Sequence, residues 1–515
     1  MENQEAYNAY KTLKNCLNKL SIDDSIYIIY NYHLYISNFK DKLPDDISVS
    51  EGFYDFDEIH RAIFNWELEI FLREILINSK NINYSEYYNG KETLKKWNKF
   101  SNYLNKLKDY ENDVARIFIN DKNARLSLNR IPHQQFKWQK NPYNPSYLFR
   151  YYKIFGESEI NKLINKLFNL SVIEIYYIGF YLIGYFINNF ELKKEDLYSI
   201  LDKTKIDSFL ELFSINIEKL KEEAKKRKLD HKFEYEFFVL EFFPIIKYQN
   251  NIFLCPLVLL IFWAFTSGIY FKIRYNISNS KEEQKIFDQA FGKSFELYIG
   301  EVMKRANKKK FLLLPEEFYS KPKKQTPDWI VYDNIDSAMF IECKTKRIQY
   351  DAKIEMDEEL IKNELNQIVK ASIQLYERID DYRNNKFNTF KFNKKINIFP
   401  VILTLENWYM SFYLDLIRDM TIEACKNRGI DSSYLKTMPI AIFSCEEFEE
   451  IIQIINQVGI KKFMTQIHKR VFSVSNNIAV EPFIEDNFDK EKMNTIFLFQ
   501  SELDKLLDDF KNKNI

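Results

Sequence analysis

The sequence predicts an α/β core, a mixed sheet flanked by helices, attached to a large and mostly α-helical N-terminal domain. Three observations carry this. Up to about residue 230, apolar residues recur at three- and four-residue spacing, the period of helices with one buried face. From residue 281 the pattern becomes helix, three strands, helix, strand, helix, strand. The chain has 515 residues, of which 46% are hydrophobic and 17% aromatic, enough for more than one packed core.

In the first half, helices are expected over Ala6 to Leu20, Phe53 to Leu76, Glu92 to Ile119 and Ser171 to Phe190. Prolines at 132, 142 and 145 punctuate the pattern and predict a loop holding His133, Gln134, Gln135 and Trp138. No period of repeat length recurs, so a helical solenoid is not expected. The charged stretch Glu218 to Glu234 reads as a helix able to separate domains. Residues 1–235 are thus taken as a mainly helical sensor or binding domain.

Residues 236–280 read as a connection. Pro244 to Tyr248 and Ile252 to Cys255 flank Gln249-Asn250-Asn251 as a hairpin. Ile252 to Phe271 carries no charge over a span-like length. Pro256 and Thr266-Ser267-Gly268 interrupt it, which favours a buried connecting helix from about Pro256 to Tyr270 over a membrane span. No membrane contact is expected. The polar N-terminus is not a signal peptide, and five scattered cysteines without a CxxC pair fit a reducing, cytoplasmic setting.

Residues 281–515 form the α/β domain with a C-terminal helical extension. A long helix opens it, followed by strands at Phe311 to Phe318, Asp328 to Tyr332 and Ala338 to Lys346. A helix over Asp357 to Asp381, a strand at Ile396 to Leu405, a helix at Tyr409 to Asn427 and a strand at Met438 to Phe443 follow. Strand alternation turns Phe340, Glu342, Lys344 and Lys346 one way and Met339, Ile341, Cys343 and Thr345 the other. The short turn at Asp333 to Ser337 folds the previous strand back, bringing Asp328 across from Glu342. Two close carboxylates repel unless a proton or cation neutralises them. Oxygen donors with incomplete protein coordination suit Mg2+ or Mn2+, and a neighbouring ammonium, here Lys344, steadies developing charge. Those parts together perform phosphodiester hydrolysis. The alternative for both acids is a pair of solvated strand-end charges.

Pro327-Asp328, then thirteen residues, then Glu342-Cys343-Lys344 resembles the signature of the PD-(D/E)xK, or restriction-endonuclease-like, nuclease superfamily. The resemblance covers about a third of the chain. It implies a restriction-endonuclease-like core, with Asp328, Glu342 and Lys344 as catalytic residues and an acid from the first helix, which falls on Glu296. Asp328, Glu342 and Glu296 would be the metal ligands. Gln367 and Lys370, on the following helix, correspond to its site-facing polar residues.

Net charge is zero, with 74 basic and 74 acidic side chains, so nucleic acid would have to be held by a local patch. Lys304, Arg305, Lys308, Lys309, Lys310, Lys321, Lys323 and Lys324 supply one, extended by Lys346 and Arg347, against Glu316 and Glu317. Gly292-Lys293-Ser294 matches the end of a phosphate-binding loop, but the earlier glycine is Phe287, so no ATPase motor is expected. The five histidines lack ligand or triad spacing.

The expectation is a metal-dependent endonuclease, acting on DNA rather than RNA as the resemblance implies. A nuclease joined to a helical module suggests a prokaryotic anti-phage or anti-plasmid effector by analogy. The helical half would meet a trigger or partner protein, and a homodimer would suit a two-strand cut. The alternatives are an inactive nucleic-acid-binding scaffold and a toxin anchored by Ile252 to Phe271.

Overall fold

A computed structural model describes residues 4–47, 59, 62–79, 93–139, 144–198, 202–248, 251–319, 324–409, 413–471, 480–488 and 493–512. It is a mixed α/β protein with two compact units, each built from separate stretches of chain. The first comprises Met1–Asn144, Ser158–Gln284 and Lys505–Ile515, the second Pro145–Glu157 and Lys285–Asp504. The three sequential segments expected above are therefore corrected. Residues 236–280 belong to the first unit, and the helix Pro145–Phe155 belongs to the second.

In the first unit, helices Trp97–Phe118 and Val172–Asn188 lie within the expected spans, and Gln4–Leu17 overlaps the span expected from Ala6 to Leu20. Ser171 caps Val172–Asn188, accepting from the Glu174 N–H while Glu174 reaches back to Ser171. The second expected helix is interrupted: Ile59 and Ala62 are helical, Phe64 is extended with φ −122° and ψ 152°, and a helix resumes over Asn65–Asn78. Phe53 to Glu58 lie outside the described residues.

The loop expected around Pro132 is instead a helix, Ala124–Gln139, with the proline inside it. Side-chain anchors compensate for the lost backbone bond. Arg130 donates to the His231 carbonyl, Gln134 to the Glu234 carbonyl at 2.5 Å, and Lys137 meets Glu241 at 2.5 Å. The charged segment after residue 217 does not extend as one separating helix. It is helical only over Ile217–Ala224, and its Leu229 and Phe233 turn into the core.

The hairpin forms as expected. Strands β1 (Glu191–Lys193), β2 (Ser214–Asn216), β3 (Ile245–Lys247) and β4 (Ile252–Leu254) make a sheet of order β1-β4-β3-β2, in which β3 and β4 are antiparallel. The following apolar run is two short helices, Leu259–Phe265 and Ile269–Asn276, not one. Thr266 breaks it by donating its hydroxyl to the Phe262 carbonyl at 2.7 Å, and the Gly268 N–H reaches back to Trp263. Among the described residues no single helix is long and apolar enough to cross a membrane. The pair Ser158–Phe168 and Val172–Asn188 meets that test jointly but is bent by 65°.

His33 shows how this core handles a titratable group. It is fully buried, with Nδ1 2.7 Å from Asn65 Oδ1, while Nε2 accepts from the Leu259 N–H at 3.2 Å. Those partners fit the neutral ring protonated on Nδ1. Burial lowers its pKa from 6.5 to about 4. The unfolded chain therefore binds the proton more readily, and stability falls as pH drops from about 6.5 towards 4, by on the order of 3 kcal/mol. Urea midpoints at pH 7.5 and 4.5 should differ more in the wild type than in His33→Gln; equal differences would remove His33 as the cause.

The second unit carries a five-stranded sheet of order β5-β6-β7-β8-β9, made of Leu312–Pro315, Trp329–Tyr332, Ser337–Lys344, Asn397–Thr404 and Ala441–Ser444. The first three strands form an antiparallel meander; β7, β8 and β9 are parallel. The helices Lys281–Ala306, Glu358–Arg383, Leu414–Arg428 and Cys445–Val458 fall where the sequence placed helices. β7 stops at Lys344, short of the expected Lys346. The β6–β7 turn is fixed by Asp333, whose Oδ1 accepts from the N–H groups of Ile335, Asp336 and Ser337, with Asn334 at φ 61°.

Helix Glu358–Arg383 runs against the Phe340 side of β7. Phe340 packs on Tyr382 at 5.6 Å between ring centroids, and Lys344 bonds Gln374 at 3.2 Å. Four strand residues at about 3.3 Å each and eight helical residues at about 1.5 Å each cover nearly the same length, so strand and helix stay in step.

On helix Lys281–Ala306, Gly300 faces Trp329 of β6. A Cβ there would lie 2.3 Å from the indole. The close approach lets Trp329 Nε1 donate to the Glu296 carbonyl at 3.1 Å. Gly300→Ala gains helix propensity but drives a methyl into a fixed ring, and a net loss of about 1–3 kcal/mol is expected. Calorimetry giving an unchanged or higher Tm would contradict this.

Candidate active site

The β5–β6 register pairs Pro315 with Trp329, and the β6–β7 register pairs Trp329 with Ile341. One step further, Glu316, Asp328 and Glu342 stand in sequence across three strands. Glu342 and Lys344 are near the C-terminal end of β7, where the parallel strands β7, β8 and β9 all finish. Crevices at such strand ends are the usual binding positions in open α/β sheets. Both covering helices reach this end, one bringing Lys293 and Glu296, the other Gln374.

Asp328 is the most perturbed acid of the group. Burial, then the Glu342 and Glu296 carboxylates, push its pKa well above the ordinary carboxylate range, opposed by the Cys343 N–H and Lys344. The Cys343 N–H donates to Asp328 Oδ2 at 2.6 Å. Lys344 Nζ lies 2.8 Å from Glu342 Oε1; burial lowers its pKa, but Glu342 and Asp328 outweigh that and raise it. Burial and then Asp328, Glu296 and Glu342 push the Cys343 thiol up, so it stays protonated and unreactive.

The sequence reading missed three members. Glu316, counted there only against the basic patch, is half-buried, and burial, then Glu296 and Glu342, raise its carboxyl. Lys293 holds Glu296 at 2.6 Å, and that bond, with Glu296, Glu316 and Asp328 around it, raises the ammonium. Gln374 takes the place expected for Gln367. It lies two helical turns further on, a spacing that keeps both on one face. Gln367 is half-buried and Lys370 exposed on the same helix.

The remaining nucleic-acid residues fare differently. Lys321 and Lys323 lie outside the described residues. Lys324 is exposed and pairs with Asp381 at 3.2 Å. Lys346 approaches Glu364 at 3.8 Å. Arg347 must be withdrawn as a phosphate contact. It is 5% exposed and pairs with Glu406 at 3.1 Å, which in turn accepts from the Tyr151 hydroxyl. Lys308 to Lys310 do not flank the site. They precede β5, whereas Glu316 follows it, and the four strand residues between span about 13 Å. Arg305 is tied to Glu502, and Lys310 to the Asn456 carbonyl.

Four carboxylates and two ammoniums thus gather at one end of the sheet. By donor type the acids suit a hard divalent cation. Among the described residues, however, no three acid, His or Cys side chains stand spaced to hold one ion as they are. Glu342 and Glu296 are each bonded to a lysine instead. Compared with protein-family profiles, with curated proteins and with solved structures, the chain matches none.

Proposed function

We propose that the second unit is a restriction-endonuclease-like, metal-dependent nuclease that hydrolyses phosphodiester bonds, with DNA as its substrate. The observation that carries this is the meeting of Asp328, Glu342 and Glu296, with Lys344 on Glu342, at the end of a mixed sheet. A scaffold has no need to bury like charges beside one another. An ion-binding site does, because the cation removes the repulsion. With every carboxyl ionised, Glu296, Glu316, Asp328 and Glu342 exceed Lys293 and Lys344 by two charges, the charge of one divalent ion.

Asp328 and Glu342 would hold Mg2+ or Mn2+, with Glu296 contributing from the helix. Such an ion would supply charge to polarise the scissile phosphate and to activate water. Lys344, steadied by the Gln374 carbonyl oxygen, directs its ammonium to the attacking oxygen and the developing charge. The helical unit fits a module that senses or restrains, and by analogy the whole fits a prokaryotic defence effector against phage or plasmid DNA.

The test is cleavage of plasmid DNA by the full chain with Mg2+ or Mn2+, its loss with EDTA, and its loss in Asp328→Ala and Lys344→Ala. The rival reading is a binding core without turnover, and the lysine-paired carboxylates favour it. DNA retention without metal-dependent cleavage in the wild type would select that reading.

A further inference from the structure

The face of helix Glu358–Arg383 that brings Gln374 to Lys344 extends well beyond the site. Asn363, Gln367, Lys370, Gln374, Arg378 and Asp381 recur at three- and four-residue spacing, so they line one stripe of the helix. Asn363 and Lys370 are exposed, while Gln367, Gln374 and Arg378 are half-buried. Asp381, the only acid among the six, is closed over. It is 4% exposed, accepts from the Tyr319 hydroxyl at 2.6 Å, and pairs with Lys324 at 3.2 Å and Lys386 at 2.7 Å. One cation would neutralise it; the second leaves an excess positive charge, and both lysines are about half exposed. Arg378 adds a charge beside Tyr319, and Lys370 another on the far side of Gln374. Glu377, next to the stripe, is engaged by Arg428 at 3.1 Å.

Resting on the nuclease reading above, we infer that this stripe is a phosphate track: a DNA strand runs along the helix past Lys344 and Gln374, held by Lys370 on one side and by Arg378, Lys324 and Lys386 on the other. The length fits. Eleven helical residues carry the track about 16 Å from Lys370 to Asp381, the rise of roughly five nucleotides in one strand. The composition fits too, since cations neutralise phosphates, and amides such as Gln367 and Asn363 bond phosphate and sugar oxygens without reading bases. Asp381 supplies rigidity. Buried between two chain segments, it fixes both ammoniums in place before a phosphate arrives, which lowers the ordering cost of binding.

Fluorescence anisotropy of the full chain with labelled DNA in EDTA, repeated over a KCl series, reads binding without turnover. Lys370→Gln, Arg378→Gln and Lys386→Gln should each weaken binding about threefold and flatten the salt dependence by about one phosphate contact. Lys370→Arg and Lys386→Arg should restore both, and Lys308→Gln, at the other end of β5, should change neither. Plasmid cleavage by the wild type with Mg2+ is scored alongside. Cleavage by a wild type whose three Gln variants bind DNA as it does would overturn the track and leave the nuclease standing. Stripe-dependent binding without cleavage would keep the track and bring down the nuclease; neither binding nor cleavage would bring down both. Stripe-dependent binding of polyglutamate but not of DNA would overturn the inference in favour of an acidic protein.

Discussion

Asp328→Asn is expected to abolish cleavage and, without metal, to make the second unit more stable. Both effects come from one cause. The carboxyl is buried against Glu342 and Glu296, and that placement raises its pKa well above the ordinary range. Its charged form therefore costs folding free energy in the native state, and a neutral amide of the same shape removes that cost. Turnover needs the charge, because an amide is a far poorer partner for a divalent ion. A loss of at least about a thousandfold in rate is expected, at the upper end of what single electrostatic contacts contribute. Thermal melts should show the variant above the wild type in EDTA. Added Mg2+ should raise the wild type and leave the variant unmoved, since only a binder of the ion gains stability from it. Lys344→Ala should lose the rate but keep the metal-induced rise. A variant less stable than the wild type in EDTA, or one that cleaves, contradicts the account.

Glu449→Leu should destabilise the second unit by about 3–5 kcal/mol, with no change at any acid of the site. Arg150 meets Glu449 twice, Nε to Oε1 at 2.8 Å and the second guanidinium nitrogen to Oε2 at 3.0 Å, with both side chains under a tenth exposed. Tyr298 also donates to Glu449 at 2.8 Å. Truncating the acid strands a guanidinium in an apolar interior, where desolvation has no compensation. Arg150→Met with Glu449→Leu replaces both charges by apolar groups and should recover most of the loss. Urea unfolding of Glu449→Leu, Arg150→Met and the double variant checks this; additive effects of the single substitutions would show that the pair is not coupled.

The meander and its register were readable in the sequence because two signals agreed there. β7 is a buried apolar strand, and Asp333-Asn334 ahead of it is turn chemistry, so the hairpin could close only with Asp328 opposite Glu342. Glu296 followed from the resemblance rather than from spacing. Lys293 is readable in principle, at three residues from Glu296 on one helix face, but the string Gly292-Lys293-Ser294 around it points to a different chemistry. Arg347 misled because charge in sequence carries no information about burial. Its partner Glu406 comes from the far end of β8, and Tyr151 from the helix Pro145–Phe155. The Thr266 break was visible as a polar triplet, yet nothing local says whether a threonine hydroxyl will turn back on its own helix.

The helix Pro145–Phe155 has a consequence for how this protein can be handled. It supplies Arg150 and Tyr151 to the second unit, and the Ile154 carbonyl accepts from the Ser294 hydroxyl, two residues before Glu296. That unit is therefore discontinuous in the gene. A fragment expressed from residue 281 onward would lack an interior piece and carry Glu449 without its counter-charge. During synthesis the segment emerges long before the sheet it completes, and must wait for more than half of the polypeptide to leave the ribosome.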